Sequence, residues 1–194
     1  MHGEIDSKQL KSILKTLENI KIVLTEQDIL NLLKIRRRWP KFYPTFDSPS
    51  VEVINITGLK STTFFSEDGY LDYDKWFEYY QLGYTTILSG VLDLTEDLRN
   101  FSKVLLKELG FVPHSNFYFS RPGKRASFPP HSHSYGVFVK QIYGNSDWII
   151  NGEKIKLSPQ KTLAFPKNTL HEVISKKDKK LSLTMNIDSI GQYY

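Results

Sequence analysis

The chain contains no cysteine. Disulfides, thiolate zinc sites and cysteine nucleophiles are therefore excluded, and the absence predicts a cytoplasmic setting. No apolar run approaches the ~20 residues that span a bilayer, so no membrane partner is expected. The opening residues, Met1 to Gln9, contain no apolar h-region, which predicts no secretory leader. No internal repeat or low-complexity tract is visible. Histidine is scarce, with five copies, and each can be weighed singly.

What is present is ordinary globular composition: 194 residues, 40% hydrophobic and 24% charged. That predicts a single domain, 1–194, with a sizeable core. Aromatic residues make up 13%, which favours a β-rich core where flat rings stack across strands. Lys and Arg number 26 against 21 Asp and Glu, a net charge of +5. The basic clusters are Arg36-Arg37-Arg38 and Lys176-Lys177-Asp178-Lys179-Lys180. The first ends a helical pattern, where cations suit the helix C-terminus. The second lies between two strand-like runs and reads as a solvated hairpin turn. No strand interleaves aromatic with basic residues, so nucleic acid is not an expected partner.

The chain changes character near residue 110. Residues 1–110 read as a helical lead-in with the first strands. Leu10, Ile13, Leu14, Leu17 and Ile20 form a stripe of 3.6-residue period. A second helix starts at Thr25, with Asp28 three residues on as a capping box, and must stop before Trp39-Pro40. Val51–Ile56 alternates like a strand, Asp74–Tyr80 reads as a short aromatic helix, and Tyr84–Leu88 as another strand. Thr95 caps a helix with Leu98, Phe101, Leu105 and Leu109 inward, closed by Gly110. Residues 111–194 read as a β core. Its expected strands are 116–120, 135–143, 147–150, 154–157, 162–165, 171–175 and 181–187. Asn151-Gly152 marks a two-residue hairpin. So many short strands imply a mainly β sandwich or barrel preceded by N-terminal helices.

Three histidines fall in this β region. His131 and His133 are two apart, and on a strand such residues share a face. Two imidazoles on one side suit two bonds to one metal ion. His171, at the start of a later strand, is expected beside them in a barrel as a third ligand, leaving positions open for oxygen or substrate. A His-x-His pair also occurs by chance on surface strands. His2 and His114 are read as surface residues.

The segments Asn116-Phe-Tyr-Phe-Ser-Arg-Pro-Gly123 and Pro129-Pro-His-Ser-His-Ser-Tyr-Gly-Val-Phe-Val-Lys-Gln-Ile-Tyr-Gly144, followed by Trp148, resemble the cupin-like JmjC oxygenases. The likeness is to the branch of ribosomal-protein hydroxylases. Leu82-Gly83 and the helix at 95–109 resemble that branch's lead-in. Phe165-Pro-Lys-Asn-Thr-Leu-His171 and Leu181-Ser-Leu-Thr-Met185 resemble its last strands. The resemblance implies a double-stranded β-helix (cupin, or jelly-roll) around a central pocket. It also implies Fe(II) held there, 2-oxoglutarate as co-substrate, and O2-dependent hydroxylation by a non-haem iron dioxygenase. His131 is then the first ligand and His171 the last, with no catalytic residue expected beyond the metal ligands. Asn116, Tyr118 and Gln141 are expected to line the co-substrate pocket. Gln141 alternates with Val137 and Val139, which puts the three on one side.

Two departures matter. The family's middle ligand is an acid, and here that place is His133. Many members carry a Lys or Arg thirteen residues after the acid, to pair with the far carboxylate of 2-oxoglutarate. Here that place is Ser146, which is counted with the pocket residues. A buried carboxylate without a cation is costly. Lys140, Arg121, Lys124 and Arg125 are the substitutes considered. The expected substrate is a peptide, a protein or a small amino-acid-like molecule. Two alternatives stay open: a three-histidine oxygenase that needs no 2-oxoglutarate, and a non-catalytic binding module. The helices at 7–38 are available to brace the barrel or to form a homodimer contact.

Overall fold

The computed structural model describes residues 7–35, 51–54, 60–61, 64, 70–122, 128–174 and 177–187. His2, the Arg36–Arg38 cluster, Lys124, Arg125 and Lys176 lie outside the described residues. In chain order the elements are α1 (Ser7–Asn19), α2 (Glu26–Lys34), β1 (Val51–Ile54), β2 (Lys60–Ser61), α3 (Tyr73–Gln81), β3 (Thr85–Ser89) and α4 (Glu96–Leu109). Then come β4 (Ser115–Ser120), β5 (Phe128–His131), β6 (Val137–Tyr143), β7 (Ser146–Ile150), β8 (Glu153–Leu157), β9 (Thr162–Phe165), β10 (His171–Ile174) and β11 (Lys180–Asn186).

The strands form two antiparallel sheets. One runs β2-β1-β3-β4-β11-β6-β9 and the other β5-β10-β7-β8. From β4 onward the chain crosses between the sheets at every step except the β7–β8 hairpin, in the manner of a double-stranded β-helix. Within the first 110 residues, β1, β2 and β3 extend the larger sheet beyond β4.

Period-two alternation decides what each face does. On β11, Leu181, Leu183 and Met185 enter a core between the larger sheet and the helices, beside Ile13, Leu17, Trp76, Phe101, Phe117 and Phe119. The intervening Lys180, Ser182, Thr184 and Asn186 line the space between the sheets. Val137 and Val139 of β6 join Trp148, Leu157, Phe165 and Val173 in a second, smaller core inside the barrel.

The helices brace this frame. Thr25 and Asp28 form the expected capping box at α2, and Thr95 accepts from the Leu98 amide at α4. On α1, Glu18 accepts from the Thr162 amide at 3.2 Å. Glu26 of α2 accepts from Tyr80 at 2.8 Å and pairs with Arg121 and Lys179. Burial alone would raise the Glu26 carboxyl, but Lys179, Tyr80 and Arg121 together hold it below its usual range. The Asn151-Gly152 hairpin joins β7 to β8 with φ of 49° and 87°, the left-handed pair that such a turn demands.

Sequence periodicity alone missed one core strand. β5 contains Pro129 and Pro130, which lack N–H donors and read as a break. It survives as a strand because it sits at the edge of the smaller sheet, where one side needs no ladder bonds.

Candidate metal centre

The edge strand carries the first histidine. His131 ends β5 and faces His171, which opens β10, as a direct cross-strand pair. Their rings lie 4.3 Å apart between centroids. His133 arrives differently from the expectation. It lies beyond the end of β5, so pleat parity does not place it. Its carbonyl instead accepts from the Asn168 amide at 2.7 Å, which ties this loop to the turn before β10. Its ring stacks on Tyr135 at 4.8 Å and stands 5.0 Å from His131 and 5.2 Å from His171.

One nitrogen from each imidazole falls within 4.8 Å of the other two. An ion at ~2.1 Å from each nitrogen needs spacings of about 3 Å, so a small inward turn of the rings would close on one cation. Nδ1 of His131 lies 2.9 Å from the Pro129 carbonyl, and Nδ1 of His171 lies 2.9 Å from that of Thr169. Donating Nδ1–H to a carbonyl leaves Nε2 with its lone pair free, the tautomer that metal ligation uses. Burial, with the neighbouring His131 and His171, pushes the His133 pKa down to about 4. Burial also lowers His171, against the Thr169 hydrogen bond that raises it. Both rings are therefore neutral near pH 7 and able to ligate. Trp148 and Phe165 flank His171 at 6.1 and 4.5 Å.

These rings open onto a pocket between the sheets with about 570 Å³ of non-atom space, including its open mouth. Of the residues expected there, Tyr118 lines it and shares a side-chain hydrogen bond with Thr184. Burial, the first cause, raises the Tyr118 phenol well above its ordinary range, so it stays neutral. Asn116 is on the same face of β4 but is not part of the lining, and its side chain bonds His114. His114 is accordingly half-buried, not the surface residue expected.

Gln141 and Ser146 are buried in a closed chain. Trp148 Nε1 donates to Ser146 Oγ at 2.9 Å, and Ser146 and Ser182 both donate to Gln141 Oε1 at 2.8 Å. Gln141 Nε2 donates to the Tyr143 carbonyl at 2.8 Å. At the position where many family members carry a cation, the protein has a self-satisfied polar network.

Neither described substitute cation reaches the pocket. Lys140 is fully buried on the opposite face of β6 and donates to the carbonyls of Leu17 and Gln160 at 2.8 and 3.2 Å. Parity explains this, because 140 is out of phase with Val137, Val139 and Gln141. Arg121 pairs with Glu26 at 3.2 Å and covers the Tyr80 ring. The cation in the pocket lining is Lys180, at 2% exposure, in the segment we read as a solvated turn. The signal was present in the alternation of Lys180, Ser182, Thr184 and Asn186 with Leu181, Leu183 and Met185.

Comparison with known proteins agrees with this geometry. A JmjC domain model matches residues 93–185. The structure of YcfD, a ribosomal oxygenase from Escherichia coli, superposes with a TM-score of 0.55 at 16% identity, over 87% of this chain and 44% of that one. The same oxygenase in complex with cobalt and succinic acid gives 0.54 at 14% identity, over 87% and 45%. The chain thus spans less than half of that oxygenase's length. No curated protein matches it. Residues 93–185 are thus similar to a JmjC domain, with His-x-His standing where that family's pattern has His-x-Asp.

Proposed function

We propose that this protein is an Fe(II)-dependent oxygenase that uses 2-oxoglutarate to hydroxylate a peptide, a protein or an amino-acid-like molecule. The observation that carries the reading is the meeting of three imidazoles at a pocket inside a JmjC-type barrel. His131, His133 and His171 would hold the ion. Fe(II) would supply O2 activation, with 2-oxoglutarate furnishing two electrons as it loses CO2 to become succinate, while one oxygen atom enters a substrate C–H bond. The E. coli oxygenase of the same fold was seen with cobalt and succinic acid, a divalent metal and that co-product.

The chain's own residues prepare the chamber. Carbonyls of Pro129 and Thr169 fix two imidazoles in the ligating tautomer. Trp148 and Val173 of the smaller sheet and Val137 and Phe165 of the larger give the chamber its apolar lining. The polar residues of β11, in the larger sheet, add hydroxyls, an amide and an amine.

A second reading has its own support. Among the described residues the cluster contains no carboxylate, and Ser146 is occupied within a hydrogen-bond chain. A three-histidine oxygenase that draws electrons from its substrate fits both facts. Anaerobic loading with Fe(II), then O2 with and without 2-oxoglutarate, separates the two. Succinate formation dependent on Fe(II) and lost in His131→Ala and His171→Ala supports the first. Iron bound by all three histidines, with no succinate formed and no 2-oxoglutarate bound, overturns it in favour of the second. His133→Asp adds a discriminating arm: raised 2-oxoglutarate turnover marks a drifted hydroxylase, and loss of all activity marks a genuine three-histidine centre.

A further inference from the structure

We propose that Lys180 is the carboxylate anchor of this pocket, and that the ligand seated against it is a small dicarboxylic acid. The inference deepens the reading above and rests on it for the identity of the acid. The cation sought at the β7 position is supplied from β11 instead.

Lys180 lines the space between the sheets at 2% exposure. It has no hydrogen-bond or ion-pair partner among the described residues, whereas Lys140, Arg121 and Lys179 each have one. A buried ammonium without a counter-charge is costly to maintain. Directly across the ladder, Lys180 pairs with Ser120 of β4. The Ser120 hydroxyl is buried and likewise without a partner. By strand parity it shares the inward face of Tyr118. An ammonium and a hydroxyl on adjacent strands, both unsatisfied, form a donor pair that a carboxylate would complete. Among the described residues, Gln141, Ser146 and Ser182 satisfy one another and so do not compete for the same ligand. Burial alone pushes the Lys180 amine down to about 7, which an entering anion would reverse.

An acid with one carboxylate at this corner and a second donor group turned toward the imidazoles would span the chamber. That pattern describes a dicarboxylate such as 2-oxoglutarate or succinate better than a neutral or basic ligand. Phosphate-bearing ligands share the anionic chemistry and are a separate arm of the test.

The test is calorimetric titration of succinate, 2-oxoglutarate and inorganic phosphate into the full chain loaded with Mn(II), a redox-inert stand-in. The wild type is expected to bind both dicarboxylates. Lys180→Met should weaken them about ten- to hundredfold, as expected for loss of one charge-assisted bond. Lys180→Arg should restore part of that loss, and Ser120→Ala should weaken binding several-fold. Melting curves for each variant establish that it folds. Equal binding by wild type and Lys180→Met overturns the anchor while leaving the oxygenase reading intact. Phosphate bound as tightly as succinate overturns the dicarboxylate assignment. Lys180-dependent 2-oxoglutarate binding here, with no succinate formed when the Fe(II)-loaded protein meets O2 and candidate substrates, upholds the anchor and sinks the oxidative reading. No dicarboxylate binding by the wild type overturns both.

Discussion

Replacing Lys180 with Met should make the ligand-free protein more stable, by an amount that depends on pH. The methionine keeps most of the apolar stem and removes the buried ammonium. Burial moves the amine from 10.5 to about 7. Between those values the unfolded chain holds a proton that the fold does not, so wild-type stability rises with pH across that window. Below pH 7 the amine is charged in both states and the fold carries the full penalty. At ~1.4 kcal/mol per pKa unit, that penalty is roughly 5 kcal/mol at pH 6 and roughly 2 kcal/mol at pH 9. Relaxation and water entry make both figures upper bounds. Lys180→Met should therefore gain ~2 to 5 kcal/mol at pH 6 and distinctly less at pH 9.

The ionisable groups that share the pocket are the Tyr118 and Tyr135 phenols and the three imidazoles. They are present in both proteins, so the comparison between variant and wild type cancels them to first order. Urea unfolding of metal-free protein at pH 6, 7.5 and 9 supplies the numbers. Saturating succinate should reverse the order, raising the wild type and leaving the variant unmoved. A variant destabilised by more than ~1 kcal/mol at every pH would refute the reasoning, because it would mean the ammonium has a native partner whose loss outweighs its desolvation.

Three further perturbations test other parts of the frame. Ser146→Ala should lose about 1–3 kcal/mol in denaturant melts, because Trp148 Nε1 and one bond to Gln141 are left buried and unmet; a loss under ~0.5 kcal/mol would show the chain to be dispensable. Gly144→Ala should destabilise by at least ~2 kcal/mol. Its φ is +69° and a Cβ there would sit 1.9 Å from the Lys179 carbonyl oxygen, so a melting temperature near wild type would contradict this packing of the β6–β7 turn on the entry to β11. Glu26→Gln should flatten acid unfolding. The folded carboxyl is held low by Lys179, Tyr80 and Arg121, so its stabilisation is complete above ~4.3, the unfolded value, and is lost as pH falls through the folded value. An unchanged slope below pH ~4.5 would remove Glu26 as the tie between α2 and the barrel.

The features that sequence reading located share a physical origin. Alternation between two buried environments marked most β strands, and cap chemistry marked α2 and α4, because both are local rules. The three histidines stood out because they are few and because only strand pairing could unite 131 with 171. What escaped was non-local. Pro129-Pro130 disguises an edge strand, whose status as an edge is fixed by the whole sheet order. The approach of His133 depends on the Asn168 amide, far along the chain. Lys180 was hidden by its lysine neighbours, because charge clustering suggested solvent while parity placed one member of the cluster inside.

The two departures from the family pattern become related once Lys180 is in place. An imidazole at 133 in place of a carboxylate removes one negative charge beside the proposed ion. Moving the cation from the β7 position to β11 preserves the pocket's positive charge. With a divalent ion bound, the ion and Lys180 would together present three positive charges to a ligand, and no acid in the histidine cluster would offset them. A dianion meets that field far better than a neutral molecule does, because in a water-poor chamber each uncompensated charge is expensive. The substitution that first argued against 2-oxoglutarate, His133, thus strengthens the electrostatic case for a doubly charged acid. The same count predicts that His133→Asp weakens succinate binding even where it restores the family's ligand set.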